Sequence, residues 1–153
     1  METIKPLLAE HPLFRDLEPQ YLELLVGCAR NVRFNPGEFM NRDGEESNSF
    51  YLIRHGSVAL DVFSPAEGAI TFLTLGPGDI LGWSWLVAPY RHHFDSRVVE
   101  LTRAVQIDAK CLRGKFDRDH ELERELYRRF VPIIVERLEA MTMQLLDVYS
   151  SRS

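Results

Sequence analysis

Leu75-Gly76-Pro77-Gly78-Asp79-Ile80-Leu81-Gly82 is the stretch of this chain with the residue types to bind something. Glycine and proline at this density force tight turns, and Gly82 leads into Trp83-Ser84-Trp85-Leu86, an apolar run able to make one helical turn. A turn of that kind aims free backbone N–H groups at one spot, which suits an anion, phosphate above all. Arg91, His92 and His93 follow in sequence and could close such a site with positive charge. The candidate ligand-binding set is therefore Gly82, Trp83, Ser84, Trp85, Leu86, Arg91, His92 and His93. The two indoles offer flat faces to an aromatic or cationic ligand.

Other constellations carry less. Asp43-Gly44-Glu45-Glu46 lacks the alternating oxygen ligands and closing glutamate of a calcium loop, and reads as a solvated turn. Asp61, Asp79 and Asp108 are scattered, with nothing to mark a paired acid and base. Adjacent His92 and His93 would face opposite sides of a strand, so a metal-dependent jelly-roll enzyme is disfavoured and no metal site is expected. No motif marks an axial haem ligand.

The elements that must hold the candidate site follow from punctuation and period. Residues 1–28 look helical in pieces, broken at Pro12 and Pro19. From about Arg30 to Ala109 about eight short strands alternate with turns such as Asn35-Pro36-Gly37 and His55-Gly56. The expected fold is mainly β with flanking helices: a double-stranded β-helix jelly roll or a barrel, followed by a long C-terminal dimerisation helix. The helical N-terminus and β roll are placed at 1–116 and the C-terminal helix at 117–153, capped by Asp117 or Asp119 and kinked or split at Pro132. Leu122, Leu126, Phe130, Ile134, Leu138, Met141, Leu145 and Val148 recur at steps of three and four. Such a stripe either packs on the chain's own barrel or pairs with its copy; Phe130, Ile134, Leu138, Met141 and Leu145 are expected to form a dimer seam.

With 153 residues and a formal net charge of −5, the chain makes one domain and no global field for nucleic acid. No apolar window is long enough to span a membrane, the first ten residues lack a signal-peptide core, and a cytoplasmic location is expected. Two cysteines, Cys28 and Cys111, are expected as buried free thiols, with one disulfide as the alternative.

Taken together, Asn35-Pro36-Gly37-Glu38-Phe39-Met40, Asp43-Gly44-Glu45, Ser49-Phe50-Tyr51-Leu52-Ile53, His55-Gly56-Ser57-Val58 and the approach Leu75-Gly76-Pro77-Gly78-Asp79 resemble the cyclic-nucleotide-binding domains of catabolite-activator-type regulators. That resemblance covers nearly the whole chain. It implies a phosphate-binding cassette in which a glycine and its neighbours hold the cyclic phosphate, a glutamate takes the ribose hydroxyl, and an arginine neutralises the phosphate. Gly82 and Leu86 match that pattern, Trp83 stands at the glutamate, and counting back from Val98 puts His92 at the arginine with Arg91 beside it. His93 and Phe94 replace small residues.

The resemblance thus implies a non-enzymatic, ligand-sensing regulatory module, and its altered pocket points to a cyclic nucleotide or another small anionic or aromatic ligand. The alternative is a degenerate pocket on a dimeric structural or protein-interaction module. The expected partners are a second copy, a small molecule and a protein partner, with no DNA binding by this chain alone.

Overall fold

The computed structural model describes residues 4–152, and the side chains of Val148, Ser151 and Arg152 lie outside the described residues. Two short helices, α1 (Ile4–Glu10) and α2 (Pro19–Gly27), precede β1 (Ala29–Phe34), β2 (Phe39–Asn41), β3 (Ser49–Ser64), β4 (Gly68–Leu75), β5 (Ile80–Leu81) and β6 (Asp95–Asp108). Helices α3 (Ala109–Phe116) and α4 (His120–Arg152) follow. The strands form one antiparallel sheet in the order β1-β6-β3-β4, with β2 added to β6 and β5 to β3. This is the jelly roll with flanking helices that the strand pattern anticipates.

Fewer, longer strands replace the expected eight. His55-Gly56 is not a hairpin turn; β3 runs straight through it, paired with β6 along both halves and shifted in register between Ile53 and Val58. Gly56 makes this possible. Its φ is +104°, and a Cβ there would collide with Thr102 Oγ1 and the Leu101 carbonyl of β6. The same bulge lets β6 run as one strand from Asp95 to Asp108.

Alternation along β3 splits the apolar residues between two cores. Phe50 and Leu52 face the helices, where they pack with Leu8, Leu25, Leu112, Leu126 and Phe130. Tyr51 and Ile53 face the interior of the roll with Leu60, Phe72, Leu81, Phe94 and Val98. Trp83 touches both.

Cys28 and Cys111 are a disulfide, not free thiols; it ties the end of α2 to α3 with Cα atoms 6.2 Å apart. The Asp108 carboxylate caps α3 by accepting from the Cys111 N–H at 3.1 Å, and Asp119 caps α4 by accepting from Leu122 N–H at 3.0 Å. Helix α4 runs unbroken past Pro132, about 50 Å at 1.5 Å per residue. Proline removes one N–H at that point without splitting the helix.

Candidate functional site

The turn at Gly76–Asp79 is sewn to β3 by Gly78 N–H donating to the Ile53 carbonyl at 2.7 Å and Ile53 N–H to the Asp79 carbonyl at 3.0 Å. The Asp79 carboxylate closes the turn by accepting from Gly76 N–H at 2.8 Å. β5 then pairs with Tyr51 and Leu52, and Gly82 turns the chain off the sheet with φ +106°. A Cβ at Gly82 would meet the Ser49 carbonyl at 3.2 Å and Phe50 Cβ at 3.3 Å. Gly82 is thus required by its own packing as well as by any ligand.

Ser84–Leu86 make the single helical turn expected, a 3-10 turn, with Leu86 and Val87 N–H bonding back to Trp83 and Ser84. Trp85 is fully buried and stacks on Phe50 at 5.0 Å while meeting Phe130 of α4 edge-on at 5.2 Å. It fills the core and touches no ligand space. Trp83 is half-buried, its ring lies on His93 at 5.8 Å, and its indole N–H is buried without a partner.

Apart from His93, the basic strap turns toward the 44–46 segment. Arg91 donates to the Gly44 carbonyl at 3.2 Å and lies 3.9 Å from Glu46, with half its side chain exposed. His92 is 7% exposed, its main chain paired in both directions with the 44–45 turn. Burial pushes its imidazole below the ordinary 6.5; Glu45 opposes that shift and His93 adds to it. His93 is exposed. The residue that enters the roll is Phe94, 2% exposed and edge-on to Phe72 at 5.5 Å. Ser96 and Val98 follow it inward along β6, while Arg97 faces Asp61 at 3.0 Å. The inward-pointing position is therefore an aromatic, not His92 or Arg91. Asn41 Oδ1 and Ser96 Oγ, on paired strands β2 and β6, are also buried without partners.

Arg91 and His92 line a cleft of about 460 Å³ together with Glu45, Glu46, Ser49 and Tyr51, and a second space lies further out. A cleft of about 440 Å³ runs between the β3–β4 hairpin and the distal half of α4, walled by Phe63, Ile70, Phe72, Met141, Thr142 and Tyr149, with no charged residue in its lining.

Three residues outside the candidate set bind the cassette to the helices. Arg113 of α3 donates to the Trp85 carbonyl at 2.9 Å, the Ser47 carbonyl at 3.1 Å and Asn48 Oδ1 at 3.0 Å, and lies over the Tyr90 ring at 4.3 Å. Tyr127 of α4 donates to the Leu86 carbonyl. Arg137 of α4, 4% exposed, donates to the Ile80 carbonyl; burial lowers its pKa and Glu136 and Asp79 push back. A signal for Arg137 exists in the sequence: it is a basic residue in helical phase with Leu126, Phe130 and Ile133.

The sequence profile of the cyclic nucleotide-binding domain matches residues 31–119. The chain belongs to the cyclic nucleotide-binding domain family. Over 143 residues it is 26% identical to the CRP-like cAMP-activated global transcriptional regulator of Mycobacterium tuberculosis, a match covering 93% of this chain and 62% of that protein. The chain thus spans about three fifths of the length of that curated relative. A cyclic nucleotide-binding domain from Methylobacillus flagellatus KT superposes with a TM-score of 0.76 at 17% identity, covering 95% of this chain and 83% of its own. The Catabolite Activator Protein of Thermus thermophilus gives 0.68 at 21%, covering 91% and 63%. At these identities the two structures establish the fold. Within the cyclic nucleotide-binding domain frame, α4 follows the roll after α3 and leans back on it through Met141 and Ala140.

Proposed function

We propose that this chain is a non-enzymatic regulatory module whose ligand is small, uncharged and largely apolar or aromatic, and that cyclic AMP and cyclic GMP are not that ligand. One observation carries the reading: the inward position of the cassette's closing segment is Phe94, packed on Phe72, while Arg91 is engaged with Glu46 and Gly44. A phosphate in the cleft beside Arg91 and His92 would also meet Glu45 and Glu46, and Arg91 would have to leave Glu46 to reach it. With Trp83 where an acceptor for the ribose hydroxyl would stand, discrimination for the nucleotide goes as well. The uncharged cleft under α4 supports the choice of ligand class.

The response runs through α4. Val131, Val135, Leu138, Leu145 and Tyr149 are exposed at spacings of four, three, seven and four, a heptad-like row that suits a second copy of the same helix. Leu145 and Tyr149 belong to both that row and the cleft, so ligand and helix pairing share walls and must be coupled.

A second reading, a closed scaffold acting only through its surfaces, is favoured by the Phe94–Phe72 filling. Calorimetry on refolded, ligand-stripped protein tests the first claim. No heat with millimolar cyclic AMP is expected; micromolar binding abolished by Arg91→Ala would overturn it. Thermal stabilisation by neutral aromatic compounds, lost in Phe63→Asp, separates the sensor from the scaffold.

A further inference from the structure

The disulfide has the surroundings of a reacting group. Cys28 and Cys111 are half-buried, Cys28 at the margin of the helix-side core, and line a groove of about 490 Å³ together with Arg30, Asp108 and Lys110. Beside Cys28 stands Gly27, exposed, with open space where a side chain would be. Asp108 is already committed to the Cys111 N–H. Arg30 holds Gln106 Oε1 at 2.9 Å and is exposed, as is Lys110. Two cations therefore face one carboxylate at the mouth. Accessible sulfur in electropositive surroundings is the setting in which cysteines exchange, whereas structural disulfides are shielded.

We propose that Cys28–Cys111 is a thiol–disulfide exchange site for a small anionic thiol. The incoming thiolate attacks Cys28 Sγ and forms a mixed disulfide there; the S–S bond to Cys111 breaks and its electron pair leaves on Cys111 Sγ as thiolate. Cys111 is the better leaving group because it is the third residue of α3, where first-turn amides and the neighbouring Lys110 favour negative charge. A second thiolate then attacks the mixed disulfide, releasing the small-molecule disulfide and leaving Cys28 as thiolate. Two electrons pass from two thiols to the protein.

The outcome reaches the cassette through α3. Arg113, two residues past Cys111, holds the Trp85 carbonyl and the 47–48 segment, so freeing the start of α3 loosens the grip on the cassette turn.

The test uses the oxidised protein with glutathione, an anionic thiol, and cysteamine, a cationic one, at matched thiolate concentrations. Intact mass after acid quench follows the reaction. Glutathione is expected to react about fivefold faster, the gain of one unit-charge contact near 4 Å in water, and the preference should vanish in Arg30→Gln/Lys110→Gln. The Cys111→Ser variant given oxidised glutathione should hold it at Cys28, by peptide mapping. Resistance of the folded protein to millimolar glutathione, with reduction only in urea, would overturn the proposal. So would equal rates for the two thiols, or two thiols in the native protein that oxidised glutathione cannot join.

Discussion

Trp83 and Trp85 stand two residues apart and have different roles, which residue type alone could not assign. Trp85, sealed between Phe50, Phe116 and Phe130, is a packing residue. Trp85→Ala should cost about 3–5 kcal/mol in urea unfolding, while Trp83→Ala, half-buried against His93, should cost about 1–2 kcal/mol. His92 gives a pH signature. Its folded pKa lies below 6.5 because burial disfavours the imidazolium, so the unfolded chain takes up the proton more readily. Stability is complete above 6.5 and is lost as pH falls from there toward the folded value. Melting temperature should therefore drop between about pH 7 and pH 5, with a shallower slope in His92→Gln. Gly82 was legible because a left-handed turn needs glycine. Phe94 was not: counting back from Val98 gave the arginine position to His92, whereas β6 starts at Asp95 and its alternation sends Phe94, Ser96 and Val98 inward.

Among the elements, α4 was legible in existence and misread in facing. Steps of four residues advance about 400° around a helix of 3.6 residues per turn, so each carries the stripe about 40° off its starting face. Leu122, Leu126 and Phe130 are fully buried against the chain's own core, yet Leu138 is 62% exposed. Phe130 therefore leaves the expected dimer seam, Met141 leans on the roll, and Ile134 is half-buried. Leu138 and Leu145 remain outward, joined by Val131, Val135 and Tyr149. If the exposed row pairs as proposed, Leu138→Asp should give a 17.7 kDa monomer in sedimentation without lowering the fold's stability. Phe130→Ala should instead destabilise the fold by about 3–5 kcal/mol and leave pairing intact. The merged strands were hidden for a local reason. Gly56 reads as a turn in sequence, and only its crowding against Thr102 of β6 reveals a bulge.

For the molecule as a whole, family and layered architecture were readable because turn glycines and strand lengths recur in a fixed order. The cross-link was not, since 83 residues separate the cysteines and spacing says nothing about their meeting. By chain entropy a loop of that size is worth about 4–5 kcal/mol to the folded state. Complete reduction should lower the melting temperature by an amount that Cys28→Ala/Cys111→Ala reproduces; an unchanged melt would show the bridge adds nothing.

Arg137 limits how this molecule can move. Its guanidinium sits inside the protein with the Ile80 carbonyl as its anchor and Glu136 beside it. Sliding α4 by one turn would drag a bare cation across apolar surface, which costs far more than a helix–sheet contact returns. The helix is indexed against β5 like a toothed wheel held by its pawl. It can pivot about that tooth, and its distal half can swing toward or away from the β3–β4 hairpin, but it cannot creep. Movement of α4 against the roll must therefore be angular, and largest at its C-terminal end.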